Sequence, residues 1–130
     1  MQNILIVDDE KPIRLFLKML LTKVNPEWNV LTAENGEMGI ETCKKQDDID
    51  LILMDIDMPG IDGILAIQSI RCLDAYKKTP IIILTGVEED EAQEGLLDTT
   101  ANALAYKPIV PSQLISIVND LLEFGFIGID

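Results

Sequence analysis

The segment PIIILT, residues 80–85, decides the fold class. Pro80, which has no amide hydrogen and therefore suits the start of a strand, is followed by a continuous apolar run of three isoleucines and a leucine. A strand that is apolar on both faces is typical of a parallel sheet covered by helices. A half-exposed antiparallel strand alternates apolar and polar residues instead. The segment therefore favours a parallel α/β domain.

Strand-like and helix-like segments alternate along the rest of the chain. The predicted strands are residues 3–7, 28–33, 50–55, 80–85 and 103–106. The predicted helices are residues 12–24, 36–46, a segment that begins after Gly63, residues 88–97 and residues 112–123. The first helix has apolar residues at helical spacing, namely Ile13, Phe16, Leu17, Leu20 and Val24. Five strands alternating with five helices predict a parallel sheet with both faces covered.

The helix of residues 88–97 has the least regular pattern. It contains the acidic stretch EEDEAQEG and has little apolar face beyond Ala92 and Leu96, so we predict that it is the least stable element. The domain is expected to span residues 1–123. The segment FGFIGID, residues 124–130, is predicted to be an apolar C-terminal tail.

Composition excludes several function classes. The chain has 130 residues, enough for one domain, and carries 10 basic against 23 acidic residues, a formal net charge of −13. Direct nucleic-acid binding is not expected, because it requires a basic surface. The absence of histidine excludes imidazole catalysis by this chain. The apolar runs are too short for a membrane span and the start lacks the pattern of a signal peptide, so we expect a cytoplasmic protein with no membrane contact.

Residues with reactive or charged side chains stand at the ends of four predicted strands. They are Asp8 and Asp9 after the first strand, Asp55 and Asp57 at the third, Thr85 at the fourth and Lys107 after the fifth. Ligands of parallel α/β sheets lie beyond the carboxyl ends of the strands, so we expect these side chains to form one site. Asp55 and Asp57 would share a face of an extended strand, where their charges repel.

These residue types indicate a chemistry. Clustered carboxylates without histidine or thiolate ligands suit a hard cation, Mg²⁺ or its substitute Mn²⁺. Phosphoryl transfer also requires a metal ion, an ammonium group and a hydroxyl around the reacting carboxylate, because the transferring group spreads negative charge over three oxygens. A carboxylate nucleophile would form an aspartyl phosphate.

The motif set resembles the receiver domain of two-component response regulators. It comprises NILIV followed by Asp8-Asp9, then MDIDMPGIDG (54–63), IIILTG (81–86) and YKP (106–108), in matching order and spacing over about residues 2–123. The chain is similar to stand-alone chemotaxis regulators of this family. The resemblance implies a flavodoxin-like, doubly wound fold with a five-stranded parallel sheet in the order 2-1-3-4-5.

The resemblance also implies a role for each site residue. The acidic metal ligands fall on Asp8, Asp9 and Asp55. The position of Asp57 supplies its backbone carbonyl to the metal, so that the Asp57 side chain is not a required ligand.

The phosphoacceptor implied by the resemblance is Asp55. The hydroxyl that responds to phosphorylation falls on Thr85 and the phosphate-binding lysine on Lys107, which makes Asp55, Thr85 and Lys107 the catalytic residues. The Lys107–Pro108 bond is commonly cis in this family.

A phosphoprotein of a phosphorelay is therefore implied. Asp55 would accept a phosphoryl group from the phosphohistidine of a sensor histidine kinase or phosphotransfer protein and lose it slowly by self-catalysed hydrolysis. A dedicated metabolic enzyme is not implied. The downstream effector is not indicated by the sequence, and a weak dimer is one expected form.

Two positions depart from the family pattern. The aromatic residue that usually takes part in the switch is replaced by Leu104, and Tyr106 is expected on the other face of its strand. A glycine common in the family is replaced by Thr100. A switch without aromatic burial would depend on backbone and loop shifts.

Two other functions stay open at this point. Haloacid-dehalogenase-like phosphatases also carry a DxD motif, which here would make Asp55 the nucleophile and Asp57 the acid/base, although their motif lies on the first strand. A pseudo-receiver that only binds partners is the second alternative, and the complete set of site residues argues against it.

Overall fold

The computed structural model describes residues 1–58, 62–86 and 100–126. The five strands are β1 (Asn3–Val7), β2 (Asn29–Ala33), β3 (Leu51–Asp55), β4 (Ile81–Thr85) and β5 (Ala103–Tyr106). They form one parallel sheet in the order β2-β1-β3-β4-β5, which confirms the predicted flavodoxin-like topology.

Helices cover both faces of this sheet. Those in the described residues are α1 (Lys11–Val24), α2 (Gly36–Lys45), α3 (Gly63–Arg71) and α4 (Pro111–Phe124), with a short 3₁₀ helix at Asp74–Tyr76. The last helix extends one residue beyond its predicted end, and Gly125 terminates it with a φ of 81°. The predicted helix 88–97 and residues 127–130 of the predicted tail lie outside the described residues.

Two hydrophobic layers sandwich the sheet because successive strand residues point to opposite faces. One layer, packed against α1 and α4, takes Ile4 and Ile6 of β1 together with Ile82 and Leu84 of β4. The other, packed against α2 and α3, takes Leu5 and Val7 together with Ile81 and Ile83. All four residues of β4 before Thr85 are fully buried, so the apolar run that predicted a central parallel strand has its physical explanation.

The buried face of α1 differs from its prediction. Leu17 and Leu21 are the fully buried residues of this helix, whereas Phe16 is 42% exposed and Val24 is 43% exposed. The helical spacing of Phe16 and Val24 therefore does not place them in the core. The apolar residues of α1 extend beyond the face that packs on the sheet, and part of them contacts solvent.

Arg71 joins the end of α3 to the entry of β5. Its guanidinium donates to Thr100 Oγ1 at 2.6 Å, to the Thr100 carbonyl at 2.9 Å and to Asn102 Oδ1 at 3.1 Å. The same group also donates to the carbonyls of Tyr76 and Thr79. The hydroxyl of Thr100, at a position where the resemblance implies glycine, thus has a defined hydrogen-bonding role.

None of the helices within residues 1–58, 62–86 and 100–126 has the length and hydrophobicity needed to span a lipid bilayer.

Gly63 begins α3 in direct contact with the end of β3. A Cβ at this position would overlap the carbonyl oxygen of Asp55 and lie 2.6 Å from Ile56 Cα. Since both are backbone atoms, neither can move without displacing Asp55. Asp62 precedes this glycine and caps the helix by accepting from Leu65 N at 2.9 Å.

We expect Gly63→Ala to lower the free energy of unfolding by about 1–3 kcal/mol, because the methyl group forces the backbone of β3 and α3 apart. The matched variant Gly86→Ala places its methyl group 3.9 Å from Lys107 Cβ, an ordinary contact, and should change stability by less than about 0.5 kcal/mol. Urea unfolding followed through the single tryptophan, Trp28, measures both. Equal effects of the two substitutions would contradict the steric role of Gly63.

Candidate functional site

The parallel register brings the strand ends together at one edge of the sheet. Asp55, the last residue of β3, is paired with Leu84, so that Thr85 follows directly beside it. Thr85 is paired in turn with Tyr106, and the Lys107 amide donates to the Thr85 carbonyl at 2.7 Å. The lysine of the next strand is therefore held at the same edge.

Lys107 lies between two buried carboxylates. Its Nζ is 3.2 Å from Asp8 Oδ2 and 3.2 Å from Asp55 Oδ2. The side chain of Asp8 is completely buried, that of Asp55 is 1% exposed and that of Lys107 is 20% exposed. An isolated carboxylate in such surroundings would be strongly destabilising, and the ammonium group offsets part of this cost.

Backbone and helix groups fix the orientation of Asp8. Its Oδ1 accepts from Glu10 N at 2.9 Å, and its carbonyl accepts from Arg14 Nη1 at 2.8 Å. Its Oδ2 is buried and, among the residues that the structure describes, receives no hydrogen bond of good geometry. An oxygen in this condition is suited to a cation.

Asp9 completes a group of oxygen ligands. One carboxylate oxygen from each of Asp8, Asp9 and Asp55 lies within 4.8 Å of the others, with Asp9 exposed and the other two buried. Oxygen donors alone, with one side open to water, match the preference of Mg²⁺, which retains several waters when bound to protein. The residues present fit a divalent cation of this kind.

Asp57 has a contact that the sequence did not predict. Its amide donates to Asp55 Oδ1 at 2.9 Å, an Asx-turn geometry, while its exposed side chain reaches toward the end of β4. There Asp57 Oδ2 accepts from Gly86 N at 2.9 Å and from Thr85 Oγ1 at 3.3 Å. Because β3 ends at Asp55, strand alternation does not determine the direction of the Asp57 side chain.

Burial dominates the acid–base properties of Asp55. The pKa of its carboxyl group is raised from 3.8 to about 6 in total, and desolvation by burial is the largest cause. The hydrogen bond from the Asp57 amide lowers this pKa, the charge of Asp8 raises it and Lys107 lowers it. Burial acts in the opposite sense on Lys107, but the charges of Asp55 and Asp8 outweigh it and raise the pKa of the ammonium group above its usual value.

The end of β5 differs in one respect from expectation. Ala103 and Ala105 belong to the hydrophobic layer beside α1 and α4, whereas Leu104 is partly buried against the opposite layer. Tyr106 is two residues further along the strand and so lies on the same face as Leu104, with 39% of its side chain exposed. The expectation of opposite faces was wrong. The Lys107–Pro108 bond is cis, as expected.

In Mg²⁺-free solution we expect Asp55 to make the stability of the fold depend on pH. The folded-state pKa of about 6 exceeds the ordinary value of 3.8, so the folded protein retains a proton that the unfolded chain has lost. The resulting stabilisation is present at low pH and disappears as the pH rises to about 6. Asp55→Asn should therefore be more stable than wild type at about pH 7.5 by ~1–3 kcal/mol, with a smaller difference at about pH 4.

Urea unfolding at a series of pH values measures this effect. Asp47→Asn, an exposed site before β3 at the other end of the sheet, controls for the general pH dependence of the protein. A difference between wild type and Asp55→Asn that does not change with pH would contradict the burial of an ionisable Asp55.

Comparison with known proteins identifies the family. Residues 4–119 match the response regulator receiver domain family. The chain is 37% identical over 121 residues to the transcriptional regulatory protein ResD of Bacillus subtilis, covering 93% of this chain and 48% of ResD. It is 33% identical over 121 residues to the chemotaxis protein CheY of the same organism, covering 93% of this chain and 98% of CheY.

A solved structure supports the same assignment. The receiver domain of the sensor histidine kinase PA1611 from Pseudomonas aeruginosa, described with a magnesium ion coordinated in its active-site cleft, aligns with a TM-score of 0.85 and 26% identity over 94% of this chain and 98% of that one. This chain covers less than half of some curated relatives, ResD among them, and nearly all of others. The phosphatase and pseudo-receiver alternatives are not favoured. Sequence match, strand order and site residues agree, and the chain belongs to the response regulator receiver domain family of two-component signalling.

Proposed function

We propose that this domain accepts a phosphoryl group on Asp55 in a reaction that depends on Mg²⁺. The observation that supports this most strongly is the position of the Lys107 ammonium, 3.2 Å from both Asp55 and Asp8, beside the three-carboxylate group. Phosphoryl transfer requires positive groups on the oxygens of the transferring group, and Lys107 is already directed at the carboxylate that would receive it.

The carboxylates of Asp8, Asp9 and Asp55 and the backbone carbonyl of Asp57 would hold the metal ion. Bound there, Mg²⁺ supplies charge neutralisation for the phosphoryl oxygens, and Mn²⁺ can substitute because it accepts the same oxygen ligands. The buried Oδ2 of Asp8, which forms an ion pair with Lys107, supports this assignment because it receives no other donor among the described residues.

The phosphoryl donor lies outside this sequence. The chain contains no histidine, so a phosphohistidine would be supplied by a sensor histidine kinase or a phosphotransfer protein. An oxygen of Asp55 would form the new P–O bond as the P–N bond of the donor breaks, and the donor imidazole would retain the electron pair. Slow hydrolysis of the acyl phosphate would later restore the carboxylate.

Thr85 is proposed to report the modified state. Its side chain is completely buried at the end of β4, beside Asp55. A phosphoryl group adds about −1.5 to −2 charges and three strong acceptor oxygens, to which the Thr85 hydroxyl and Lys107 can donate. The resulting shift would reach Leu104, which lies on the adjacent strand, and bias the domain toward a second conformation.

The exposed surface of helix α1 is suited to binding a protein partner. Leu15, Phe16 and Met19 are 51%, 42% and 72% exposed and form an apolar patch on this helix. The helix carries four of the 10 basic residues of the chain and no acidic residue, although the whole chain has a net charge of −13. An apolar patch flanked by positive charge fits an acidic surface of the phosphodonor.

The way in which the phosphorylated domain passes on its signal is also proposed. Relatives of similar length and longer relatives both occur, so we propose signalling by protein contact without assigning an effector. The predicted cytoplasmic location and weak dimer remain predictions.

Incubation with acetyl phosphate and Mg²⁺ should add the mass of one phosphoryl group to the intact protein. The gain should be absent in Asp55→Asn and persist in Asp57→Ala, because Asp55 is the one of the two that lies against Lys107. Lys107→Ala should reduce the rate at least about tenfold through loss of a charged contact to the transferring group. Intact-protein mass spectrometry with and without EDTA measures each case. A gain that survives in Asp55→Asn would contradict the proposal.

Met19→Glu on the α1 patch should slow phosphoryl transfer from a partner kinase while leaving the reaction with acetyl phosphate unchanged. Loss of this contact should cost about 1–2 kcal/mol of binding free energy, which corresponds to roughly a five- to thirtyfold lower rate at limiting partner concentration. Met38→Glu, at an exposed methionine of α2, is the matched control. Equal slowing with both donors would place the effect in the site itself and contradict a docking role for α1.

A further inference from the structure

The Asp57 carboxylate joins the ends of two strands in the unphosphorylated domain. The residue follows β3, yet its Oδ2 accepts from the Thr85 hydroxyl at 3.3 Å and from the Gly86 amide at 2.9 Å, both at the end of β4. One carboxylate oxygen thus receives two donors from the end of β4, the strand that pairs with β3 at Asp55.

A metal-binding role does not explain this arrangement. Among the described residues, the carboxylate group that could hold an ion consists of Asp8, Asp9 and Asp55, without Asp57. The Asp57 side chain is directed instead toward β4. It therefore acts on the groups that would respond to a phosphoryl group and not on the ion.

We propose that Asp57 is a positioning residue that latches Thr85 and Gly86 in the unphosphorylated conformation and competes with the phosphoryl group for both donors. This inference rests on the proposed phosphorylation of Asp55. An oxygen anion that accepts one hydroxyl and one amide hydrogen bond presents the same demand as a phosphoryl oxygen, so the donors cannot satisfy both fully.

Charge repulsion would strengthen the competition between the Asp57 carboxylate and the phosphoryl group. A phosphoryl group on Asp55 brings about −1.5 to −2 charges close to the Asp57 carboxylate, and like charges repel. Formation of the phosphorylated state must therefore break the latch and separate the charges. Without the latch, a larger fraction of molecules would already be competent to bind the phosphoryl group, which raises the apparent affinity by that fraction.

Beryllofluoride, a non-covalent mimic of the phosphoryl group, measures this affinity without chemical turnover. In the presence of Mg²⁺ we expect Asp57→Ala to bind it about three- to tenfold more tightly than wild type, the range that corresponds to losing hydrogen bonds to an exposed carboxylate. Asp57→Asn retains an acceptor oxygen but not the charge, so its gain should be smaller. Glu34→Gln removes an exposed charge after β2 at the same edge of the sheet and should leave the affinity unchanged.

A second readout reports the latch directly. Without beryllofluoride, the amide resonance of Gly86 in ¹H–¹⁵N spectra should shift upfield and exchange faster with solvent in Asp57→Ala, and should be unaffected in Glu34→Gln. A Gly86 amide that stays protected from exchange in Asp57→Ala would show that Asp57 is not its acceptor in solution, and would overturn the latch.

The outcomes separate the two proposals. Tighter binding by Asp57→Ala together with a released Gly86 amide supports the latch. Unchanged affinity in Asp57→Ala, or an equal gain in Glu34→Gln, overturns the latch while the proposed phosphorylation stands. Failure of wild type to bind beryllofluoride through Asp55 overturns the proposed function, and the competition with it.

Discussion

The contact of one ammonium group with two buried carboxylates determines the properties of this site. Lys107 Nζ lies 3.2 Å from both Asp8 and Asp55, and neither carboxylate has access to solvent that could replace the lysine. One positive charge cannot neutralise two negative charges, and Asp9 adds a third at the surface. The remaining negative charge destabilises the site and at the same time attracts a divalent cation. Burial is the main cause that raises the pKa of Asp55 to about 6, and the nearby charge of Asp8 also raises it.

The two aspartates of the DID motif have different environments because the strand ends between them. Asp55 is the last residue of β3 and is directed into the buried network. The chain then turns, so that the Asp57 amide donates back to Asp55 while the Asp57 carboxylate contacts Thr85 and Gly86. Asp55 therefore lies where the proposed reaction would occur, and the Asp57 side chain contacts the end of the neighbouring strand.

The architecture could be predicted well from the sequence because the relevant signals are local. A strand such as β4, which is apolar on both faces, is typical of the centre of a parallel sheet. In a parallel sheet the carboxyl ends of the strands lie at one edge, so the residues that follow them come together. The apolar pattern of a helix does not show which of its residues the sheet covers. Phe16 fits the apolar stripe of α1, but it lies outside the face of the helix that packs on the core. The contacts of Asp57 and the close approach of Gly63 to Asp55 depend on how elements distant in sequence pack, and neither residue type reveals them by itself.

We propose that Asp55 alone carries the phosphoryl group, because it contacts Lys107 whereas Asp57 contacts Thr85 and Gly86. Reduction of the phosphorylated protein with borohydride converts the modified aspartate to homoserine, and peptide mass spectrometry then locates it. We predict homoserine at position 55 in the wild-type protein, formed only when Mg²⁺ is present during phosphorylation. Homoserine at position 57, or at neither position, would contradict the assignment of Asp55 as the phosphoacceptor.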